Sequence, residues 1–418
     1  MSKFIIHGGK RLKGEIQVAG SKNSALPMLA ASLLTEGTTT LTRVPAIEDI
    51  ARMVEIMRGL GVDVVSRDQG QYIITAGKFK TNKLSRELAP KIRASLLFLG
   101  PLLYRTGAIT LPHPGGCALG KRAYDFFING FRKFGATVHE GDDELIFKCK
   151  KLRPARFVFP RISHTATEAL MMVAAVTPGE SELVNAAMEP EVVALAEHLS
   201  RAGARIAGAG TSTITIHGVS VLRAVETEMI PDRIEAGTFA ALAAATHSDL
   251  WIRGCNTAHL DVPLLMLERI GVKMDVLPDA IHVRPSSKFE AKDITTCEYP
   301  GFSTDLQPPF TVLLTQAKGV SLVHETIFDG RLFYTEKLNK MGANITLSDA
   351  HRAVVQGPTS LHGSTQESPD MRAGLALIIA ALAAKGKSTI ENAYQIDRGY
   401  EKIEERLRGI GADIQRVV

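Results

Sequence analysis

At 418 residues the chain is too long for one ordinary domain and suits two. Hydrophobic residues make up 45% and charged residues 22%, a soluble globular composition. The net charge of +5 fits an anionic small substrate, and no Lys/Arg run is dense enough to argue for nucleic acid.

The opening stretch MSKFIIHGGKRLKG has no apolar core of signal-peptide length. The longest apolar run, Leu375 to Ala384, falls short of the roughly 20 residues of a membrane span. The four cysteines, Cys117, Cys149, Cys255 and Cys297, are scattered with no CxxC pair, so neither zinc nor a disulfide framework is expected. The expectation is a cytoplasmic protein with reduced thiols and no membrane contact.

In chain order, KFIIHGGKRLKGEIQVAG is strand-like and stands before a repeat whose last copy it should complete. The first unit then reads as a helix, SALPMLAASLL, apolar nearly all round. A short strand follows, and then a second helix, IEDIARMVEIMRGL, with a stripe at Ile50, Met53, Val54 and Met57. A glycine and one or two strands, VDVVSRDQGQYIITAG, close the unit. The closing glycine recurs at Gly61, Gly135, Gly203, Gly271, Gly342 and Gly411, separated by 74, 68, 68, 71 and 69 residues. A second marker keeps the same phase at Gly37, Gly107, Gly179, Gly319 and Gly386, with Ser248 in the fourth copy. Six units predict two α/β domains of three, with buried helices inside and sheets outside. The boundary falls near VETEMIPDRIEAGT, giving residues 21–229 as one domain and 1–20 plus 230–418 as the other. Two such domains face each other across a cleft, a common place for a ligand.

The six first helices start with GSKNSA, KIRAS, RISHTAT, PDRIEAGT, FSTDLQPP and SPDMRAG. These starts carry Lys22, Arg93, Arg161 with Ser163, Arg233, Asp305, and Asp370 with Arg372. Capping accounts for Ser163, Thr304 and Asp370 without any function. It does not account for the cations, which the helix dipole disfavours at an N-terminus, so an external anion is expected to compensate them. Starts of second helices add Arg122, Arg331 and Arg398. The sharpest irregularity is LPHPGGCALGKR, residues 111–122, whose two prolines and three glycines read as a loop. It holds Cys117 close to Lys121 and Arg122, and nearby cations favour a reactive thiolate. An anion-binding nest with an incidental cysteine is the alternative. Cys149, Cys255 and Cys297, in strand-like contexts, read as buried small hydrophobes.

The motifs GSKNSALP, RASLLFLGPL, PGGCALGKR, EPEVV, GAGTSTITI, PDRIEAGTF, PGFSTDLQ, ETIFDGR and IDRGYEKIEERLRGIGA follow one another from about residue 4 to the C-terminus. In these the sequence resembles the enolpyruvyl transferases that act on UDP-N-acetylglucosamine. The resemblance implies two inside-out α/β-barrel-like domains, each of three βαβαββ units, closing around the nucleotide sugar. It implies transfer of the enolpyruvyl group of phosphoenolpyruvate to the sugar 3-hydroxyl with release of phosphate. The route is addition–elimination through a tetrahedral intermediate, without metal or cofactor, as the first committed step of peptidoglycan synthesis. Phosphoenolpyruvate carries a phosphate of about −1.5 to −2 and a carboxylate, which calls for fixed cations. By resemblance Lys22, Arg122 and Arg398 grip it, with Arg93 and Arg331 nearby. Cys117 protonates the methylene carbon, forms a covalent adduct with phosphoenolpyruvate and is the residue alkylated by fosfomycin. Asp305 accepts the hydroxyl proton or orients that hydroxyl, and Asn23 and Asp370 complete the reaction centre. Ser163, Asp49 and Arg233 are assigned to the nucleotide sugar, and Ile327 and Arg372 also join the substrate-binding set.

His164-Thr165 stands where many members have Val-Gly, Met188 where Arg is common, and Glu48 at a place basic in some; the loop has an extra His113-Pro114. These departures bear on nucleotide contacts, domain coupling and loop closure more than on the chemistry. A transferase acting on another nucleotide sugar or on shikimate 3-phosphate is the alternative. A non-catalytic scaffold has no use for the set Lys22, Cys117, Arg122, Asp305 and Arg398. Oligomeric state is left open by the sequence.

Overall fold

The apolar segments fold as helices that are buried over most of their length, as their composition demands. In the computed structural model, which describes residues 2–113 and 124–417, they run Lys22–Ala31, Leu99–Thr106, His164–Ala175, Arg233–Ala245, Gln307–Leu314 and Met371–Ala383. In the last of these every residue from Met371 to Leu382 is buried. The second helices are amphipathic. In Glu48–Gly59 the stripe Ile50, Met53, Val54 and Met57 is buried, while Glu55 and Arg58 face water.

The described residues cluster into two units, one of residues 20–113 and 124–230 and one of residues 2–19 and 231–417. Each has its own hydrophobic core. In the second unit the helices Arg233–Ala245, Gln307–Leu314 and Met371–Ala383 touch one another pairwise. In the first, Lys22–Ala31, the 3-10 turn Arg93–Phe98 and His164–Ala175 do the same. Sheets surround each helical core. The order Arg156–Val158, Gly179–Val184, Thr213–Gly218, Arg205–Ala207 is typical. Its first two strands are parallel and the rest antiparallel. A parallel pair needs a crossover, and the core helix supplies it. His164–Ala175 lies between Arg156–Val158 and Gly179–Val184. Gln307–Leu314 links Ile294–Thr295 to Gly319–His324, and Met371–Ala383 links Thr365–Glu367 to Lys387–Glu391. This is the expected βαβαββ unit with helices inside and sheets outside.

The opening segment does complete the last repeat, since Lys3–His7 lies antiparallel between Lys387–Glu391 and Asp413–Val417. It also does more than expected. Its second strand, Lys13–Gln17, forms the parallel edge beside Asp249–Arg253 in the fourth repeat. The period itself has a backbone cause. Gly61, Gly135, Gly203, Gly271, Gly342 and Gly411 have φ of 94°, 99°, 125°, 101°, 95° and 94°, the left-handed region that disfavours a side chain. Among the described residues no helix is long and apolar enough to cross a membrane.

Candidate functional site

In the unit containing residues 231–417, two helix starts and one loop bring opposite charges together. Asp305 sits in the 3-10 turn Thr304–Leu306, ahead of a helix whose Pro308 and Pro309 suit a first turn. One of its carboxylate oxygens accepts from Arg331 Nη2 at 2.8 Å, the other from Arg372 Nε at 2.9 Å. The arginine side chains are 2% and 3% exposed and that of Asp305 24%, so the carboxylate is the group of this trio open to solvent. Asp370 caps its helix, accepting from the backbone N–H groups of Arg372 at 2.9 Å and Ala373 at 3.1 Å. Its Oδ1 also stands 3.8 Å from Arg331 Nη1. Capping therefore describes Asp370 locally.

Arg372 also donates to Tyr400 Oη at 3.0 Å. Burial alone would lower the Arg372 pKa, but Tyr400, Asp305 and Asp232 outweigh it and raise the guanidinium well above its usual range. Burial pushes the Tyr400 phenol up against the pull of Arg372. Arg233 is buried, its guanidinium 5.2 Å from the Tyr299 ring centroid, behind the N-cap Asp232. Arg398 is buried and donates to Gln395 Oε1 at 3.3 Å. It is not at a helix start, as expected, but at the C-cap of Tyr394–Asp397, where the dipole favours a cation. Ile327 lies in the loop that leads to Arg331, and its backbone N–H donates to Glu325 Oε1 at 2.9 Å.

In the unit of residues 20–113 and 124–230, Lys22 opens its helix behind the N-cap Ser21. Its Nζ pairs with Asp49 Oδ2 at 2.7 Å, with side chains 9% and 6% exposed. This corrects the expectation that an external anion compensates the cation. Lys22 has a counter-charge within the protein, because Asp49 places a carboxylate oxygen on it. Arg372 is compensated internally in the same way, by Asp305. Both corrections have one cause: a buried charge must find its counter-charge, and the fold brings one from a distant segment.

Asn23 and Arg93 are half-buried at the starts of their segments. Ser163 is the N-cap of His164–Ala175 but makes no side-chain cap bond. Beside it, His164 Nε2 stands 3.1 Å from Glu168 Oε1. Burial works against the imidazolium, yet Glu168, Glu189 and Glu191 push the His164 pKa up to about 10.

Cys117, Lys121, Arg122 and Pro114 lie outside the described residues. On the near side of that segment His113 Nε2 is 2.9 Å from Gly141 O, and Tyr124 Oη on the far side is 3.1 Å from His113 Nδ1. Cys149 and Cys255 are buried, as expected; Cys297 is exposed and follows its strand rather than lying in it, a correction. Among the described residues no group of three or more His, Cys, Asp or Glu is arranged to hold a metal ion.

Sequence reasoning missed Tyr400 and Glu325. Tyr400 carries a signal in the motif IDRGYEK, two residues after Arg398. Glu325 is fully buried. Its signal was an acid directly after a strand, at the head of a loop with further charges.

The family model for EPSP synthase (3-phosphoshikimate 1-carboxyvinyltransferase) matches residues 6–407. A protein of Koribacter versatilis named UDP-N-acetylglucosamine 1-carboxyvinyltransferase is 41% identical over 420 residues, covering 100% of this chain and 97% of the other. One of Solibacter usitatus with the same name is 44% identical over 420 residues, covering 100% of both. Among solved structures, the enolpyruvyl transferase NikO from Streptomyces tendae superimposes with a TM-score of 0.90 at 27% identity, covering 100% of this chain and 99% of that one.

Proposed function

The chain belongs to the EPSP synthase (3-phosphoshikimate 1-carboxyvinyltransferase) family, and from that premise we propose that it transfers the enolpyruvyl group of phosphoenolpyruvate to the 3-hydroxyl of UDP-N-acetylglucosamine, releasing phosphate. The observation that carries this reading over other acceptors is full-length identity of 41% and 44% to relatives bearing that activity in their names. The reaction is the first committed step of peptidoglycan synthesis and takes place in the cytoplasm.

The residues divide the work. Lys22, Arg93 and Arg122 supply cationic charge for the phosphate and carboxylate of phosphoenolpyruvate, and Asn23 and Ser163 hydrogen-bond to substrate. Arg331, Arg372 and Arg398 supply further cations and the Ile327 backbone contacts the sugar nucleotide. Cys117 donates its proton to the methylene carbon as the sugar oxygen bonds to the neighbouring carbon. Breaking the bond to phosphate and losing a methyl proton then restores the double bond. Asp305 receives or orients the sugar hydroxyl proton. Its grip by Arg331 and Arg372 fixes the direction of the carboxylate, which suits orientation of the hydroxyl. Asp370 holds the start of the helix that carries Arg372.

Phosphate release from phosphoenolpyruvate tests this with UDP-N-acetylglucosamine, shikimate 3-phosphate and other UDP-sugars as acceptors in turn. Release with the first alone is expected. Release with another acceptor in preference reassigns the substrate, and no release with any sinks the transferase reading. Fosfomycin should add covalently to Cys117, and mass spectrometry finding the label on another cysteine counts against its role.

A further inference from the structure

We infer that Glu325 is a positioning residue that sets the placement of both Asp305 and Arg331, an inference that rests on the proposed enolpyruvyl transfer. Glu325 follows the strand Gly319–His324 and is fully buried. A buried carboxyl group is costly unless its oxygens are hydrogen-bonded. Here three donors meet it. Thr304 Oγ1 donates to Oε2 at 2.8 Å, and the backbone N–H groups of Ile327 and Phe328 donate to Oε1 at 2.9 and 3.2 Å.

The donors come from two separate segments. Thr304 is the chain neighbour of Asp305. Ile327 and Phe328 begin the turn into Arg331, whose N–H returns to Phe328 O at 3.2 Å and whose guanidinium lies 5.2 Å from the Phe328 ring centroid. One carboxyl group thus ties the turn bearing Asp305 to the loop bearing Arg331, and those two side chains meet at 2.8 Å. Glu325 itself stands on a fixed base. Its N–H donates to His351 O at 2.7 Å, and its carbonyl oxygen lies 2.8 Å from His351 Nδ1. Glu325 needs no contact with a reacting atom to matter, because a misplacement of about 1 Å at a reacting group can cost about a hundredfold in rate.

The test uses Thr304→Val, Thr304→Ser and Glu325→Gln in the full chain, with phosphate release and melting temperature measured for each. Thr304→Val should lower kcat about ten- to a hundredfold while KM for phosphoenolpyruvate moves less than about threefold. Thr304→Ser should restore kcat to within about threefold, because it returns the hydroxyl. Glu325→Gln should fall between them, since its amide oxygen can still accept from Ile327 and Phe328 and its NH₂ can donate to Thr304. Unchanged kcat per folded molecule in Thr304→Val, with only the melting temperature lowered, overturns the inference, as does a Ser variant no better than Val. A crystal structure of Thr304→Val keeps the question separate from the reaction. The 2.8 Å Asp305–Arg331 contact should lengthen or shift. An undisturbed contact refutes the positioning role, whereas wild-type silence with every acceptor refutes only the proposed reaction.

Discussion

Asp49→Asn should destabilise the unit of residues 20–113 and 124–230 far more than loss of an ordinary surface charge. The Nζ–Oδ2 separation is 2.7 Å and the two side chains are 9% and 6% exposed. At an effective dielectric of about 20, charges that close attract by about 6 kcal/mol. Desolvation of both ions, several kcal/mol each, offsets most of this, so the intact pair adds little net stability. Removing one partner is different, because the ammonium keeps its desolvation cost and loses the attraction. A loss of about 3–5 kcal/mol follows. Urea unfolding of wild type, Asp49→Asn, Lys22→Met and the double variant measures it. The double variant should be more stable than Asp49→Asn, giving a coupling of about 2–3 kcal/mol. Phosphate or phosphoenolpyruvate should recover more stability in Asp49→Asn than in wild type, because an anion at Lys22 replaces the lost carboxylate. A loss of under about 1 kcal/mol, the size of an exposed ion pair, would refute the burial argument.

His164 has a folded pKa of about 10 against 6.5 for the free group. Its contribution is therefore complete below pH 6.5 and lost as pH rises towards 10. The urea midpoint should fall across that window in wild type and more gently in His164→Gln; equal slopes would refute it. Tyr400→Phe keeps the ring but removes the acceptor 3.0 Å from Arg372 Nη1. It should cost about 1–3 kcal/mol in the melting transition, and no change would mean that water takes over the bond. Gly271→Ala and Gly411→Ala test the repeat glycine in two settings. At φ of 101° and 94° both incur left-handed strain of about 1–2 kcal/mol. At Gly271 the new Cβ also meets Lys288 O at 2.9 Å, whereas nothing stands within 4 Å at Gly411. Calorimetry should find Gly271→Ala the more destabilised, and the reverse order would contradict the packing.

Much of the architecture was legible because its signals are local. Helix periodicity, the left-handed glycine and the apolar composition of the core helices all act within a few residues of chain. The candidate site was legible only as a set of isolated side chains. Lys22, Asp305, Asp370 and Arg372 stand out at helix starts, but the pairing of Asp49 with Lys22 does not, nor do Glu325 and Tyr400. Each of those three acts through a partner in another segment, which spacing along the chain does not display.

Alone, the sequence determined the six-fold period, the buried character of one helix in each repeat and the recurrence of charge where those helices begin. Only the tertiary structure decided which charge meets which. Asp305 finds Arg372 across 67 residues and Arg331 across 26. Lys3–His7 finds its two partner strands at the far end of the chain. The reason is that a counter-charge or a strand edge is chosen by distance in space after the cores close, and a buried cation must be met there whatever its neighbours in sequence. Of the helix starts that looked like anion sites, those bearing Lys22 and Arg372 are already matched by the protein's own carboxylates.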